Sequence, residues 1–543
     1  MEVSQRKSFV RGAVVLSAAG LLVKVVGVGF RIPLAGIIGE GGLGLYQKAY
    51  PIYAWLLVLS TAGMPTAIAK LVAERLSRGD ERGARRVFSI AMRLLLAVGA
   101  LSAAGLALIS GPLAAWLGDP LAAPAIAAIA PALFFVAALS AYRGYFQGMN
   151  QMAPTAVSQV VEQVGKVALG LYFAWRIMER GMGIAYGAAG ALIGVTLSEI
   201  MAWVMLMGIY HRHRHDRRLP DAEAAEAAGG VLRQLLTLAV PILLGASILP
   251  LMGTADSAII QNRLIDIGYT VDLSRELYGL QTGIVNNIVN MPTIISQALS
   301  VSLVPVVAAS WAMGYKKDVR RKVNLGMKLA LLIALPAAAG MMLLSEPIIR
   351  LFYGYTLSEE RVALAGRLLA LSSAGVAFLT VVQTMTGVLN GMGRVFIPVA
   401  GLAAGAVFKV ALTLILTGMP QVNIFGAPIG TVTCYAVAAI IDCAAVMRLI
   451  GMRIPVFDYI VKPVAATGVM AAAVAGIVRL WQPTLGNWTA LVAAPAGAAV
   501  FAAAAILFRA ITRDELMAFP GGRRLCRALL RLRLMKPDQD IET

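Results

Sequence analysis

The sequence predicts an all-α polytopic membrane protein with fourteen transmembrane helices. Apolar residues make up 59% of the 543 residues and charged residues only 14%. Mean hydropathy is +0.78, which excludes an ordinary soluble protein. The apolar residues fall in windows of about 20, the length that one helix needs to cross a bilayer. These windows do not show the alternation that is typical of a β-barrel.

The fourteen predicted spans follow one another through short connections. They lie near 12–37, 50–73, 87–110, 121–146, 155–178, 184–209, 240–262, 283–310, 325–346, 363–390, 396–418, 424–450, 459–479 and 488–510. The first window follows a basic segment, as the core of a signal peptide would. Lys24 interrupts that core and no convincing cleavage site follows, so we expect an uncleaved first helix.

Every second connection is basic, counted from the N-terminal tail. The basic connections are 75–86, 211–218, 315–322 and the tail from residue 509. Because Lys and Arg concentrate in cytoplasmic loops, we predict that both termini are cytoplasmic and that the protein is a multi-pass component of the cytoplasmic (inner) membrane. The net charge of +19 therefore reflects topology. It does not indicate a nucleic-acid partner.

An internal repeat divides the chain. The segment 148–199 matches 391–442 without a gap, so that Lys166 pairs with Lys409 and Glu199 with Asp442. Six helices per copy is an even number, and the two copies therefore share one orientation in the membrane. The predicted regions are an N-lobe at 1–228, a C-lobe at 229–452, helices 13 and 14 at 453–515, and a basic amphipathic cytoplasmic tail at 516–543 that suits an anionic lipid surface.

Catalytic motifs are missing from the sequence. All three histidines lie in one basic loop, at 211, 213 and 215, and no nucleotide-binding, zinc-protease or nucleophile-elbow motif stands in a credible context. We therefore expect no enzyme activity, no metal site and no cofactor. Any transport would be secondary, coupled to Na⁺, to H⁺ or to the membrane potential.

Two cations lie within the first predicted helix. Lys24 and Arg31 are seven residues apart, close to two helical turns, and so form one basic stripe. A charge at the centre of a membrane helix costs about 2.5–3.5 kcal/mol, so such a stripe should face protein or water. Gly27, Gly29 and Pro33 predict a weakened or broken helix at this point. The alternative is a snorkelling lysine and an interfacial arginine.

Two further lysines, Lys166 and Lys409, lie near the middle of predicted helices 5 and 11. Glu162 precedes Lys166 by one turn, so a structural ion pair is an alternative role for this lysine. With helix 1 included, the membrane interior is biased towards positive charge. Ammonium and guanidinium groups in a low dielectric bind phosphate and carboxylate well, which predicts an anionic cargo.

The acidic candidates belong mainly to the second copy of the repeat. Asp256 stands where the first copy has Lys24, and it could bind Na⁺ or a proton or neutralise a basic neighbour. Arg263 is the repeat partner of Arg31 and a secondary candidate. Glu199 and Asp442 lie nearer the cytoplasmic side, and we expect each to be paired within its own lobe.

A family resemblance rests on several segments in fixed order. These are GFRIPLAGIIGEGGLGLYQKAYPIY (29–53), STAGMPTAIAKLVAE (60–74), YRGYFQGMNQMAPT (142–155), ADSAIIQNRL (255–264), ELYG (276–279) and SLVP (302–305). Their order resembles the SpoVB branch of the polysaccharide-exporter families, which is similar to MurJ and belongs to the superfamily of the MATE drug exporters. The resemblance implies two six-helix lobes plus helices 13 and 14. It also implies flipping of undecaprenyl-linked peptidoglycan precursor (lipid II), including for the spore cortex.

The same resemblance bears on individual residues. MurJ-like proteins place essential basic residues in helix 1 around a central cavity; Lys24 matches the first, and Arg31 lies one residue beyond the second. The acidic residue at the start of helix 2 in some MurJ proteins has no match here. The hypothesis is a lipid II flippase, with membrane lipids and cell-wall synthases as partners. Alternatives are a flippase for another lipid-linked glycan (teichoic acid, capsule), a cation-coupled drug exporter, or a scaffold that recruits synthases.

Overall fold

The computed structural model of the chain describes residues 2–61, 63–215, 228–451 and 457–510, and every regular element within these ranges is helical. The predicted tail at 516–543 lies outside the described residues, as does most of the linker between the predicted lobes. The all-α class is confirmed. Two compact units are formed: residues 1–287 with 410–427, and residues 288–409 with 428–543. We call them unit 1 and unit 2.

Unit 1 contains the first eleven α-helices. They are α1 (Glu2–Thr61), α2 (Met64–Ser77), α3 (Glu81–Leu108), α4 (Ser110–Trp116), α5 (Ala123–Ile129), α6 (Ala132–Gly148), α7 (Met152–Glu179), α8 (Ile184–His215), α9 (Ala228–Asp266), α10 (Val271–Gly279) and α11 (Asn286–Val289), whose last two residues belong to unit 2. Asp80 begins α3 by accepting a 2.6 Å hydrogen bond from Gly83 N, and Thr270 begins α10 by accepting one from Leu273 N.

The first predicted span and the beginning of the second lie in α1, which has a sharp break at Gly39; the rest of the second span lies in α2. Gly39 has φ 68° and ψ −178°, a conformation essentially restricted to glycine, and the helix resumes immediately after it. The expectation of a break around Gly27, Gly29 and Pro33 is therefore wrong. Pro33 lies inside the helix and is exposed, so its ring lies on the helix surface. The chain changes direction one and a half turns later.

Close packing in unit 1 depends on small residues. A Cβ atom on Gly194 of α8 would overlap the backbone of Gly170 on α7, which shows how closely these two helices approach. A hydrophobic core lies between α3, α6 and α8. There Phe88 packs against the rings of Tyr142, Tyr145 and Tyr210 at centroid distances of 4.8–5.3 Å. These contacts give the helices around the candidate site a rigid frame.

Unit 2 contains the remaining helices. They are α12 (Thr293–Ala312), α13 (Lys316–Leu343), α14 (Ser345–Tyr353), α15 (Glu359–Gly391), α16 (Phe396–Thr417), α17 (Gly426–Ile450), α18 (Lys462–Leu485) and α19 (Thr489–Leu507); the end of α16 and the start of α17 belong to unit 1. One core joins α12, α13, α15 and α17. Another joins α18 and α19 to α13, so predicted helices 13 and 14 pack on the body of unit 2.

Twelve of the described helices are long and apolar enough to cross a membrane. The predicted fourteen include two more, the N-terminal part of α1 and the polar helix α7. A multi-span helical protein is thus confirmed, whereas the count of fourteen, the cytoplasmic termini and the lobe boundaries at 228 and 452 stay predictions. The boundaries of unit 1 and unit 2 differ from those of the predicted lobes. The helices α9 and α10, at the start of the predicted C-lobe, pack on α1 and therefore belong to unit 1.

Candidate functional site

Helix α7 of unit 1 carries three polar side chains close together. Glu162, Gln163 and Lys166 follow one another within about one turn, so they project towards adjacent parts of the same surface. A Cβ atom on Gly27 of α1 would stand 3.2 Å from Nε2 of Gln163. The N-terminal half of α1 therefore lies directly against this polar face, and glycine at 27 allows the approach.

Lys166 binds a row of tyrosines on the second half of α1. Tyr46, Tyr50 and Tyr53 recur at helical spacing, and the rings of Tyr46 and Tyr50 stack at 5.6 Å. Lys166 Nζ donates a 3.1 Å hydrogen bond to the Tyr50 hydroxyl and lies 4.7 Å from the centroid of that ring. The partners of this half-buried lysine are thus a hydroxyl group and an aromatic face.

Arg31 belongs to the same group of side chains. It interacts electrostatically with the hydroxyl groups of both Tyr46 and Tyr50, as Lys166 does. Two of the four predicted substrate-binding cations therefore lie within electrostatic reach of the same two tyrosines, and one of them, Lys166, bonds Tyr50 directly. Neither cation forms a salt bridge within the described ranges of the chain. Their predicted role in holding a diphosphate stays a prediction.

The carboxylates near Lys166 have a different partner. Arg143 on α6 donates a 2.7 Å hydrogen bond to Glu162 Oε2 and a 3.0 Å bond to the hydroxyl of Ser158. Glu199 on α8 is buried beside this pair and interacts with both Glu162 and Arg143. The ion pair of Glu162 is thus with Arg143, although Lys166 remains within its electrostatic reach. Arg143 was missed from sequence; its signal was an arginine inside an apolar window.

The other predicted site residues lie elsewhere. The backbone of Lys24 is helical, but its side chain lies outside the described part of the structure. Lys409 is buried on α16 in unit 2. Arg263 is ion-paired with Asp266 at 2.9 Å and donates to Leu414 O. Asp256 is half-buried on α9 and lies within electrostatic reach of Tyr278.

Asp442 differs from the expectation of pairing within its lobe. Its side chain is 0% exposed on α17, and neither carboxyl oxygen has a hydrogen-bond partner among the described residues. A Cβ atom on Gly401 of α16 would stand 2.8 Å from Asp442 Oδ1. The pairing prediction is wrong for Asp442, because no described residue hydrogen-bonds its carboxylate, whereas its repeat partner Glu199 lies beside the Glu162–Arg143 pair.

Sequence analysis also missed a buried group of charges in unit 1, which we call the charge cluster: Lys48, Asp119 and Arg275. Arg275 on α10 binds Asp119 bidentately, with Nε to Oδ2 at 2.5 Å and a second nitrogen to Oδ1 at 3.0 Å. Asp119 and Lys48 are 0% exposed and Arg275 is 4% exposed. Lys48 falls between the first two predicted spans, 12–37 and 50–73, whereas in the structure it lies inside α1. Only the fold shows its burial.

Metal and cofactor binding have no obvious site in these ranges. Within residues 2–61, 63–215, 228–451 and 457–510, no group of three or more His, Cys, Asp and Glu side chains is placed to hold a metal ion. The side chains around Lys166 combine cations, hydroxyl groups and aromatic rings. Such a surface binds anions with polar or sugar substituents rather than metal ions.

Comparisons with known proteins agree with this architecture. The family model described as polysaccharide biosynthesis protein matches residues 9–311, and the MatE model matches residues 281–415. Stage V sporulation protein B of Bacillus subtilis (strain 168) is 25% identical over 95% of this chain and 98% of its own length. Lipid II flippase MurJ of the same organism is 27% identical over 88% of this chain and 89% of its own.

The fold comparison points the same way. A solved structure of lipid II flippase MurJ in the inward closed conformation has a TM-score of 0.68 at 14% sequence identity, and the match covers 91% of this chain and 99% of that one. The two MurJ relatives are named as lipid II flippases, which agrees with the expectation that the chain is not an enzyme. The chain belongs to the polysaccharide biosynthesis protein family, in the superfamily that includes MurJ and the MATE transporters, and is a multi-pass protein of the cell membrane.

Proposed function

We propose that this protein is a lipid-linked oligosaccharide flippase that moves undecaprenyl-diphosphate-linked peptidoglycan precursor (lipid II) to the outer leaflet by alternating access. The observation that supports it most directly is that Lys166 bonds Tyr50 while Arg31 lies within electrostatic reach of Tyr46 and Tyr50. Arg143 already compensates Glu162. The surface therefore keeps an excess of positive charge at membrane depth, which suits a diphosphate.

The tyrosines supply the second half of the proposed recognition. The rings of Tyr46 and Tyr50 are stacked. Tyrosine side chains present both apolar ring faces and hydroxyl groups to a ligand. A diphosphate would bind Lys166 and Arg31, and sugar hydroxyl groups would contact the tyrosine edges. Lys24 and Lys409 would add positive potential. The polyprenyl chain would remain in the membrane lipid.

The driving force would come from the membrane potential. When the outside is positive, outward movement of an anion gains about 2.3 kcal/mol per charge per 100 mV. Asp256 is the proposed site for coupling to Na⁺ or H⁺, since it is a half-buried carboxylate on a membrane helix. Cell-wall synthases would receive the flipped precursor as partners. A different lipid-linked glycan, such as a teichoic or capsular unit, carries the same diphosphate and is the second candidate.

The test is translocation of lipid II by the purified full-length protein in proteoliposomes. We expect Lys24→Ala, Arg31→Ala and Lys166→Ala each to lower the rate by about tenfold or more, because a hydrogen bond to a charged group contributes roughly 1.5–3 kcal/mol. Arg176→Ala is the matched control, as Arg176 is on the same helix as Lys166 but is exposed and paired with Glu179. Its rate should equal that of the parent protein.

Three outcomes would contradict the proposal. Full activity of a protein neutral at both Arg31 and Lys166 would exclude the basic surface as the headgroup site. Transport of a lipid-linked teichoic or capsular unit but not of lipid II would replace the cargo. Export of a cationic dye, with no flipping of either lipid, would favour a drug exporter.

A further inference from the structure

The charge cluster lies at the end of unit 1 that is remote from the basic connections. α3 begins at the basic connection 75–86 and ends at Leu108, and the segment 116–119 follows α4 beyond that end. α9 begins after the basic connection 211–218, and α10 comes beyond its far end. Under the predicted topology, the charge cluster therefore stands on the non-cytoplasmic side.

The segment 116–119 is held along its whole length. Asn262 Nδ2 donates to Trp116 O at 3.0 Å, and Gln261 Nε2 donates to Gly118 O at 3.2 Å. Lys48 Nζ donates to Leu117 O, and Arg275 binds the side chain of Asp119. Side chains from α1, α9 and α10 thus hold every residue of the segment. The segment and α1 belong to the first sequence repeat, whereas α9 and α10 belong to the second.

The same helices meet through their backbones a few residues away. A Cβ atom on Gly44 of α1 would overlap Arg275 O, and one on Gly279 of α10 would overlap Glu40 O. Tyr278 completes this contact by donating to Gln47 O at 3.1 Å. Backbones this close leave no passage between α1 and α10. At this end of unit 1, α1 and α10 are therefore in direct contact.

Within the buried region, Arg275 depends on Asp119 for its counter-charge, because its second partner, Asp272, has a 79% exposed side chain. Lys48 Nζ lies beside this pair and donates to Leu117 O. Moving α10 away from Asp119 would leave a buried guanidinium without its counter-charge, which is strongly unfavourable unless another anion replaces the carboxylate. A diphosphate can do so, because its oxygens accept the same bidentate pair of hydrogen bonds.

We propose that the charge cluster is an anion-exchange gate: Asp119 on Arg275 keeps the non-cytoplasmic end closed, and the end opens when the diphosphate of the cargo replaces Asp119 on Arg275 and engages Lys48. This inference rests on the proposed flippase function. It adds a second anion-binding site, separate from the one at Lys166. Release of the cargo would then depend on the charge of its diphosphate.

A reporter cysteine in the gate measures opening without transport. Ser274 is 0% exposed beside Arg275, and Ser274→Cys changes little in size. The full-length protein, with Cys434, Cys443 and Cys526 replaced by alanine, is placed in nanodiscs and alkylated with a charged maleimide. We expect slow alkylation, accelerated about tenfold or more by inorganic pyrophosphate but not by equimolar sulfate.

Variants of Asp119 and Arg275 then test whether the ion pair itself, rather than the surrounding fold, limits alkylation. Asp119→Asn and Arg275→Gln should each raise the basal alkylation rate about tenfold or more, and Arg275→Gln should abolish the response to pyrophosphate. The charge-swapped protein, Asp119→Arg with Arg275→Asp, should regain the slow rate. Arg350→Gln is the matched control, because Arg350 is an ion-paired arginine of unit 2, bound to Glu346 and Glu359. Its rate should not change.

The readouts distinguish the two proposals. Fast alkylation of the parent protein, or a charge-swapped protein as reactive as the single variants, would refute closure by the ion pair. Opening by Asp119→Asn without any effect of pyrophosphate would refute anion exchange. A protein that shows the full gate response but does not flip lipid II would overturn the proposed cargo and leave the gate standing.

Discussion

Gly39 should be a sensitive backbone position of α1. Its φ of 68° and ψ of −178° place it in a region that side-chain-bearing residues avoid, at a cost of about 1–3 kcal/mol. A Cβ atom there would meet no other atom within 4 Å. The whole penalty of Gly39→Ala is therefore backbone strain, and we expect a destabilisation of about 1–3 kcal/mol without any steric clash.

The assay is thermal unfolding of the purified protein in detergent. In a chain of this size, each kcal/mol should lower the apparent melting temperature by roughly 2–4 °C or less. Gly29→Ala is the matched control on the same helix, since it also has open space around its Cβ position but lies in regular helix. It should stabilise the protein by up to about 1 kcal/mol. Equal melting temperatures of Gly39→Ala and the parent protein would refute the reasoning.

Three further predictions concern packing and charge around the candidate site. Gly194→Ala should be strongly destabilising, because its methyl group would overlap the backbone of α7. Gly208→Ala on the same helix meets no atom within 4 Å and should stabilise the protein by up to about 1 kcal/mol; thermal unfolding measures both. Arg143→Gln should cost about 1–3 kcal/mol, because it leaves Glu162 without its cation, and the double variant with Glu162→Gln should recover most of this loss. Tyr50→Phe should keep ring stacking, remove the hydrogen bond to the lysine of α7, and cost about 0.5–1.5 kcal/mol; unchanged stability and unchanged lipid II transport would contradict that role.

Most of the helical architecture follows from local information. Every predicted window overlaps one or more helices of the structure, because an apolar run in a bilayer must satisfy its own backbone hydrogen bonds. Some windows, such as 50–73 and 121–146, cross from one helix to the next. The break in α1 was expected in the wrong place. Gly27 and Gly29 can adopt non-helical backbone angles, but in the structure both stay helical. Tertiary packing selects Gly39 as the glycine of α1 with positive φ.

The candidate site was predictable in part. Arg31 and Lys166 stood out because charges are rare in apolar runs. The tyrosines beside them could not be predicted. Tyr46 and Tyr50 on α1 are more than a hundred residues from Lys166 on α7 along the chain, and folding alone brings them together. The four-residue spacing of Glu162 and Lys166 on one helix predicted an ion pair between them. Arg143 on a third helix takes the carboxylate instead.

The sequence by itself determined that this chain is a multi-span helical membrane protein of a known exporter family, because hydropathy, charge placement and ordered motifs are properties of the chain read along its length. Only the tertiary structure decided which charges meet. The bidentate bond of Arg275 to Asp119 joins residues 156 positions apart, and the burial of Lys48 and Asp442 depends on neighbouring helices. Side-chain partners in a membrane protein are set by helix packing, and packing is a relation between segments that are distant in sequence.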